Sequence, residues 1–150
     1  MARTGDLTIE EATAVDDDLV IAFGSLVPQL SRSATVPGAP ELQSIVGTPA
    51  TTLLVARDGS GNLVGSLTLV VFRTPTGVRA WIEDVVVDGA SRGNGIGAAL
   101  VIAALERAEA AGARTVDLTS RPDRKGANRL YVRLGFVARS TNVYRHTSGH

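Results

Sequence analysis

The chain has 150 residues, 15 Lys+Arg against 15 Asp+Glu and so no formal net charge, no cysteine, and two histidines confined to positions 146 and 150. Without thiolates there is no cysteine nucleophile, disulfide, iron–sulfur cluster or cysteine-bound zinc, and without a histidine before His146 a Ser-His-Asp triad or a multi-histidine metal site is disfavoured. Zero net charge argues against a general nucleic-acid binder, and no stretch reaches the ~20 apolar residues of a membrane span. The N-terminal run MARTGDLTIEEATAVDDDLV has no apolar core of signal-peptide length, so a soluble cytoplasmic protein is expected. The length suits one domain over residues 1–150, with a frayed tail from about residue 147. Any chemistry must run on carboxylates, hydroxyls, arginines or backbone groups.

Taken in order, the elements alternate between the two periodicities of strands and helices, which predicts a mixed α/β domain. Leu7–Glu10 alternates and reads as a first strand. A helix is expected from Thr13, with Thr13 and Asp16 as a capping-box-like pair and Leu19, Phe23, Leu26 and Leu30 on one face. Pro28 falls inside that stripe and is expected to kink or end the helix near Val27. Residues 31–49 are a Pro/Gly/Ser-rich loop with a short helix over Glu41–Val46. Strands follow over Thr51–Ala56, Leu63–Phe72 and Val78–Val87, joined by the turns Asp58–Asn62 and Thr74–Gly77 as an antiparallel meander. A helix then carries Ile96, Leu100, Ala103, Ala104, Ala108 and Ala111 on one face, with Gly112 as its C-terminal stop. Thr115–Thr119 reads as a buried strand, Ala127–Leu134 as a helix with Leu130 and Leu134 inward, and Val137–Arg145 as a last strand.

The most informative stretch runs Val85-Val86-Val87-Asp88-Gly89-Ala90-Ser91-Arg92-Gly93-Asn94-Gly95-Ile96-Gly97. Glycines between a strand and a helix let backbone N–H groups converge at a helix N-terminus, which suits a pyrophosphate, and Arg92 adds a formal charge. Gly93, Gly95 and Ala98 also satisfy the G-x-G-x-x-A dinucleotide pattern, and Asp117 stands where a ribose carboxylate would. Against that reading, residues 88–92 separate strand from glycine, and an antiparallel meander precedes the loop where a dinucleotide fold would open with it.

Arg92-Gly93-Asn94-Gly95-Ile96-Gly97 resembles the R/Q-x-x-G-x-G/A signature of the GNAT superfamily of acetyl-CoA-dependent N-acetyltransferases. Asn128-Arg129-Leu130-Tyr131-Val132-Arg133-Leu134-Gly135-Phe136 resembles, loosely, that family's N-x-x-x-Y-x-x-x-G-F motif, and Ile82–Val87 its central strand. The resemblance extends to element order over nearly the whole chain. It implies a central, mostly antiparallel mixed sheet of six or seven strands flanked by about four helices, with a splayed parallel strand pair at the cofactor site. It implies acetyl-CoA as cosubstrate, with no metal. Val85, Val86 and Val87 would border the acetyl-pantetheine arm, the N–H groups of Arg92, Gly93, Asn94, Gly95, Ile96, Gly97 and Ala98 would hold the pyrophosphate, and Asn128 would contact the pantetheine. Asn94 departs from the Lys or Arg frequent there. The family habit is a homodimer, and the resemblance implies an amine acceptor. The charge balance and the lack of a long apolar run predict neither nucleic acid nor membrane as partner.

Acetyl transfer to an amine requires removal of an amine proton, stabilisation of the thioester oxygen and departure of the thiolate. Strand alternation places Trp81, Glu83, Val85 and Val87 on one face and Ile82, Asp84 and Val86 on the other. Glu83 is therefore the expected general base, and Asp84 is expected against the helix layer or an arginine. Tyr131, on the helical face of Asn128, is the expected general acid at sulfur. Two other readings remain: an acyl-CoA-binding sensor without catalysis, and a dinucleotide-binding domain. The zero net charge hides a gradient, since residues 1–75 hold 4 basic and 8 acidic side chains whereas residues 76–150 hold 11 and 7. Residues 121–145 alone hold seven cations and one acid, fit either to grip an anion or to pair with acids elsewhere.

Overall fold

The structure, a computed structural model, describes residues 6–149. His150, and with it the His146–His150 spacing at the tail, lies outside the described residues. The chain forms two compact units, residues 1–119 and 120–150.

The first unit holds one five-stranded sheet in the order β1-β2-β3-β4-β5, made of Thr8–Glu11, Thr51–Arg57, Leu63–Thr74, Gly77–Val87 and Thr115–Asp117. The first four strands pair antiparallel as neighbours, and β5 lies parallel to β4. The meander and the parallel crossover are as expected, but the sheet has five strands, not six or seven. The missing strand is Val137–Arg145, which makes no ladder with any described strand. Its Val137, Val143 and Tyr144 are 83%, 70% and 87% exposed. Alternating residues make a strand only where a neighbour takes up the backbone hydrogen bonds and one face is covered.

Helix α1 spans Asp17–Leu30 and α2 spans Ala39–Val46. The cap of α1 is Asp16 itself, whose Oδ1 accepts from the Leu19 N–H at 2.8 Å, so the Thr13–Asp16 pair does not form the start. Pro28 does not end the helix either. It lacks the donor for the Gly24 carbonyl, but Gly24 is exposed and only the last turn follows, so a single lost bond does not end the helix. In α2, Pro40 occupies the first turn and the Gly38 N–H donates to Glu41 Oε1 at 2.9 Å.

Two apolar layers sandwich the sheet. On one face Leu19 and Phe23 of α1 and Leu42 of α2 pack with Leu53 and Val55 of β2. On the other lies α3, Ile96–Ala110, with Ile96, Leu100, Val101, Ala104 and Ala108 buried. Gly65 shows how close that second contact is. A Cβ there would stand 3.1 Å from Ile96 Cγ2, 3.1 Å from the Val86 carbonyl oxygen and 3.2 Å from Leu100 Cδ1. Arg57 fastens the outer edge, its Nε to Glu10 Oε1 at 2.7 Å and its Nη1 to Asp18 Oδ2 at 3.0 Å. These bonds hold the Arg57 pKa above its usual value, the Glu10 bond contributing most. Such surface pairs contribute little individually.

In the second unit α4 spans Lys125–Arg133, close to the expected helix. Two glycine substitutions should move stability in opposite directions. Gly65→Ala is expected to cost about 1–3 kcal/mol by overpacking, because one of its close neighbours is backbone. Gly24→Ala, in open space within α1, is expected to stabilise by about 0.5–1 kcal/mol. Urea unfolding of both variants checks the signs.

Candidate functional site

Strand β4 leads to the glycine loop, and an irregularity in β4 decides what faces where. Across β3, Thr68 stands opposite Glu83 but Ser66 stands opposite Val86, so β4 carries one residue more than its partner over this stretch. The extra residue is a β-bulge at Asp84–Val85, and Asp84 takes a φ of +51°. Aspartate tolerates this left-handed backbone better than most residues, and here its side chain is exposed.

Residues directly opposed in a ladder share a face. Glu83 therefore shares its face with Val86, on the side of Leu53 and Val55 and hence of α1 and α2. Val87, opposite Gly65, lies on the α3 side. This corrects the expected grouping of Glu83 with Val85 and Val87. The bulge shifts the alternation by one residue, and the period-two rule fails across it. Asp84 makes no ion pair among the described residues, so the expected arginine partner is not seen.

The parallel ladder between β4 and β5 runs from Arg79–Thr115 to Trp81–Asp117 and stops there. Beyond Trp81 no described strand pairs with the β5-facing edge of β4, from about Glu83 onward. The exposed Glu83 carboxylate is held by Trp81, whose indole Nε1–H donates to Oε1 at 2.6 Å. Oε2 makes no hydrogen bond to a described residue. Strand alternation already places Trp81 on the face of Glu83, since residues two apart share a face; the indole–carboxylate bond itself is what the structure adds.

After β4 the chain makes one 3₁₀ turn, Gly89–Ser91, and reaches Gly93 and Gly95 with φ of +85° and +75°. A Cβ at either glycine would meet open space, so backbone conformation demands glycine here, not crowding. Gly95 caps α3 with no side-chain hydrogen bond, leaving the first N–H groups of the helix without a side-chain acceptor. The Ile96 side chain is buried against Gly65, so this residue can offer a ligand only its backbone. Arg92 is exposed, and Asn94 Nδ2 donates to the Ser91 carbonyl at 3.0 Å. A row of backbone donors, a helix N-terminus and one arginine fit a pyrophosphate. Gln29 of α1 also bonds to the start of this loop, a contact no local pattern could reveal because the partners lie 59 and 60 residues away.

In the second unit, the Tyr131–Phe136 segment is a helix stop. The Phe136 N–H donates to the Tyr131 carbonyl at 2.9 Å and the Gly135 N–H to the Val132 carbonyl at 3.1 Å, with Gly135 at φ +98°. These are the two bonds of a Schellman motif, and its usual apolar contact is present. The Tyr131 and Phe136 rings meet edge to face with centroids 5.7 Å apart. The Gly-Phe of the motif thus sets the Tyr131 ring, while its hydroxyl makes no hydrogen bond to a described residue. Asn128 Nδ2 donates to the Arg121 carbonyl at 3.0 Å, so its side-chain oxygen is the group open to a ligand. Burial pushes the Tyr131 phenol above its usual pKa, and the charge of Arg124 opposes the shift. None of the seven cations in residues 121–145 forms an ion pair with a described residue. Among the described residues no cluster of His, Asp and Glu is arranged to hold a metal, and no helix is long and apolar enough to cross a membrane.

A mixed sheet with a parallel pair that ends beside a bulged strand, followed by a glycine-opened helix, is the architecture of a GNAT-type acetyltransferase. The chain belongs to that family: the model of the acetyltransferase (GNAT) family matches residues 14–136. A curated relative, an uncharacterized N-acetyltransferase of Methanocaldococcus jannaschii, is 46% identical over 57 residues, which cover 38% of this chain and 25% of that protein. The match thus spans about a quarter of the relative's length. A crystal structure of a transcriptional regulator from Bacillus halodurans is 31% identical with a TM-score of 0.78, covering 94% of this chain and 99% of that one. An aminoglycoside acetyltransferase from an uncultured soil metagenomic sample shares the fold with a TM-score of 0.81 at 22% identity, over 96% of this chain and 97% of that one.

The raised Tyr131 pKa has a defined sign. A phenol that holds its proton more tightly when folded adds stability at neutral pH and loses it as pH rises through the folded pKa. The difference titration at 295 nm between wild type and Tyr131→Phe should show tyrosinate forming above the usual value near 10. Wild type should also lose stability more steeply than Tyr131→Phe over that alkaline range.

Proposed function

We propose that the protein is an acetyl-CoA-dependent N-acetyltransferase acting on a primary amine. The observation that carries this reading is the sequence of events along one strand. The ladder of β4 with β5 stops at Trp81, a carboxylate follows at Glu83, the bulge follows at Asp84–Val85, and a row of backbone donors opens at Arg92. An unpaired strand edge suits the amide-bearing pantetheine arm, through Val85, Val86 and Val87, and the donor row suits the pyrophosphate. The fit is one of charge as well, since Arg92 stands exposed beside the donors. The resemblance assigns the pantetheine contact of the second unit to Asn128, whose side-chain oxygen is not used within that unit.

In this reading the amine nitrogen attacks the thioester carbonyl carbon. The C–N bond forms, the C–S bond breaks, and the products are an amide and free CoA thiol. Glu83, oriented by the Trp81 indole, takes the amine proton directly or through water. Tyr131, a phenol protonated at neutral pH, donates to the departing sulfur. A backbone N–H of β4 beyond the bulge polarises the thioester oxygen. A thiol is already a fair leaving group, so the acid is expected to matter less than the base.

A second reading, an acyl-CoA sensor without catalysis, is favoured by the resemblance to the Bacillus halodurans protein described as a transcriptional regulator. Amine-dependent release of thiol from acetyl-CoA, scanned over a panel of sugar, peptide and polyamine amines, separates the two. A melting shift with NAD and none with acetyl-CoA would overturn both. Given turnover, Glu83→Gln is expected to lower kcat about 10²–10⁴-fold at neutral pH and Tyr131→Phe by a smaller factor, with acetyl-CoA affinity changed less than threefold in each. Unchanged turnover in Tyr131→Phe removes that residue from the mechanism.

A further inference from the structure

Gln29 stands one residue before the end of α1, and its side-chain amide spans to the start of the glycine loop. Its Oε1 accepts from the Gly89 N–H at 2.8 Å, and its Nε2 donates to Asp88 Oδ1 at 2.9 Å and to the Ser25 carbonyl of its own helix at 3.1 Å. The amide cannot be reversed. Turned over, it would set an oxygen against the Asp88 carboxylate and an NH₂ against the Gly89 N–H. Asp88 is the pivot of this corner, because its N–H donates to the Val64 carbonyl at 2.8 Å and its carbonyl accepts from the Ser91 N–H at 2.9 Å. A cavity of about 270 Å³ opens beside it, with Ser25, Leu26, Asp88 and Ser91 in its wall. Side-chain packing between α1 and the loop is therefore incomplete at this corner, and the amide bridges the two.

We propose that Gln29 is a positioning residue for the cosubstrate. It consumes the Gly89 N–H, fixes the turn that launches the loop, and so aims the N–H groups from Arg92 to Ala98 at the pyrophosphate. The assignment rests on the acetyl-CoA reading above. It makes α1 and the phosphate loop one rigid unit through a polar clamp, whose loss loosens the donors without touching the reacting atoms.

The test uses the full chain and two cosubstrates, acetyl-CoA and acetyl-pantetheine, the second lacking the pyrophosphate. Wild type is titrated first, and no binding of acetyl-CoA would overturn the acetyltransferase reading and this assignment with it. Given wild-type binding, Gln29→Ala should weaken acetyl-CoA by roughly tenfold, the equivalent of two ordinary hydrogen bonds, with kcat within about twofold. KM for acetyl-pantetheine should not change. Gln29→Glu should be at least as weak as Gln29→Ala, because it faces Asp88 with a second carboxylate. Adding Asp88→Asn to Gln29→Glu restores a donor to that pair and should return affinity to within about threefold of wild type. An equal loss for both cosubstrates, an unchanged affinity in Gln29→Ala, or no rescue in the double variant would each overturn the proposal.

Discussion

Strand β4 answers to neighbours on both edges, and the rest of the structure depends on how its backbone hydrogen bonds are shared. Toward β3 the ladder runs almost the full length of the strand, whereas toward β5 it stops at Trp81. A buried strand edge must find partners for its N–H and C=O groups. Where β5 ceases to supply them, β4 keeps a stretch of donors and acceptors that an extended amide-bearing ligand can take up. The bulge falls on the same stretch and turns its side chains through one register step. The opening and the face on which Glu83 stands are thus set within a few residues of each other.

The loop after β4 continues the same logic with backbone in place of side chains. Its glycines adopt left-handed conformations, its helix lacks a side-chain cap, and Arg92 is exposed beside it. Backbone donors and one cation suit negative charge, as the proposed pyrophosphate contact requires, and Gln29 bonds the start of the loop to the end of α1. The charge gradient along the chain follows a related division. Three acids of the negative half, Glu10, Glu11 and Asp18, are taken up by Arg57 and Arg107, whereas the cations of residues 121–145 have no carboxylate partner among the described residues.

Much of this was legible from local pattern. Three of the helices, the three-strand meander and a strand near 115–117 follow, to within a few residues at their ends, from periodicity and turn chemistry, whereas the parallel pairing of that strand was implied by the family resemblance. The glycine loop and the Asn128–Phe136 motif were visible for the same reason, although the Gly-Phe pair proves to be a helix stop that orients Tyr131. The bulge was not legible. In Trp81-Ile82-Glu83-Asp84-Val85-Val86-Val87 apolar residues occupy both parities, so an inserted residue leaves no mark on the pattern. Val137–Arg145 shows the converse, a strand-like composition without the neighbouring ladder that makes a strand.

The sequence by itself determined the family, the elements and the residue types available for chemistry, because each depends on short-range spacing and on groups the chain either has or lacks. Only the tertiary structure decided which face Glu83 occupies, that Trp81 holds its carboxylate, and that Gln29 clamps a loop 60 residues away. The first follows from a count of residues across two paired strands, and the others from side chains brought within hydrogen-bond distance by the sheet and the helix packed on it. Register and clamp are relations between segments, and they come into being only when the segments meet.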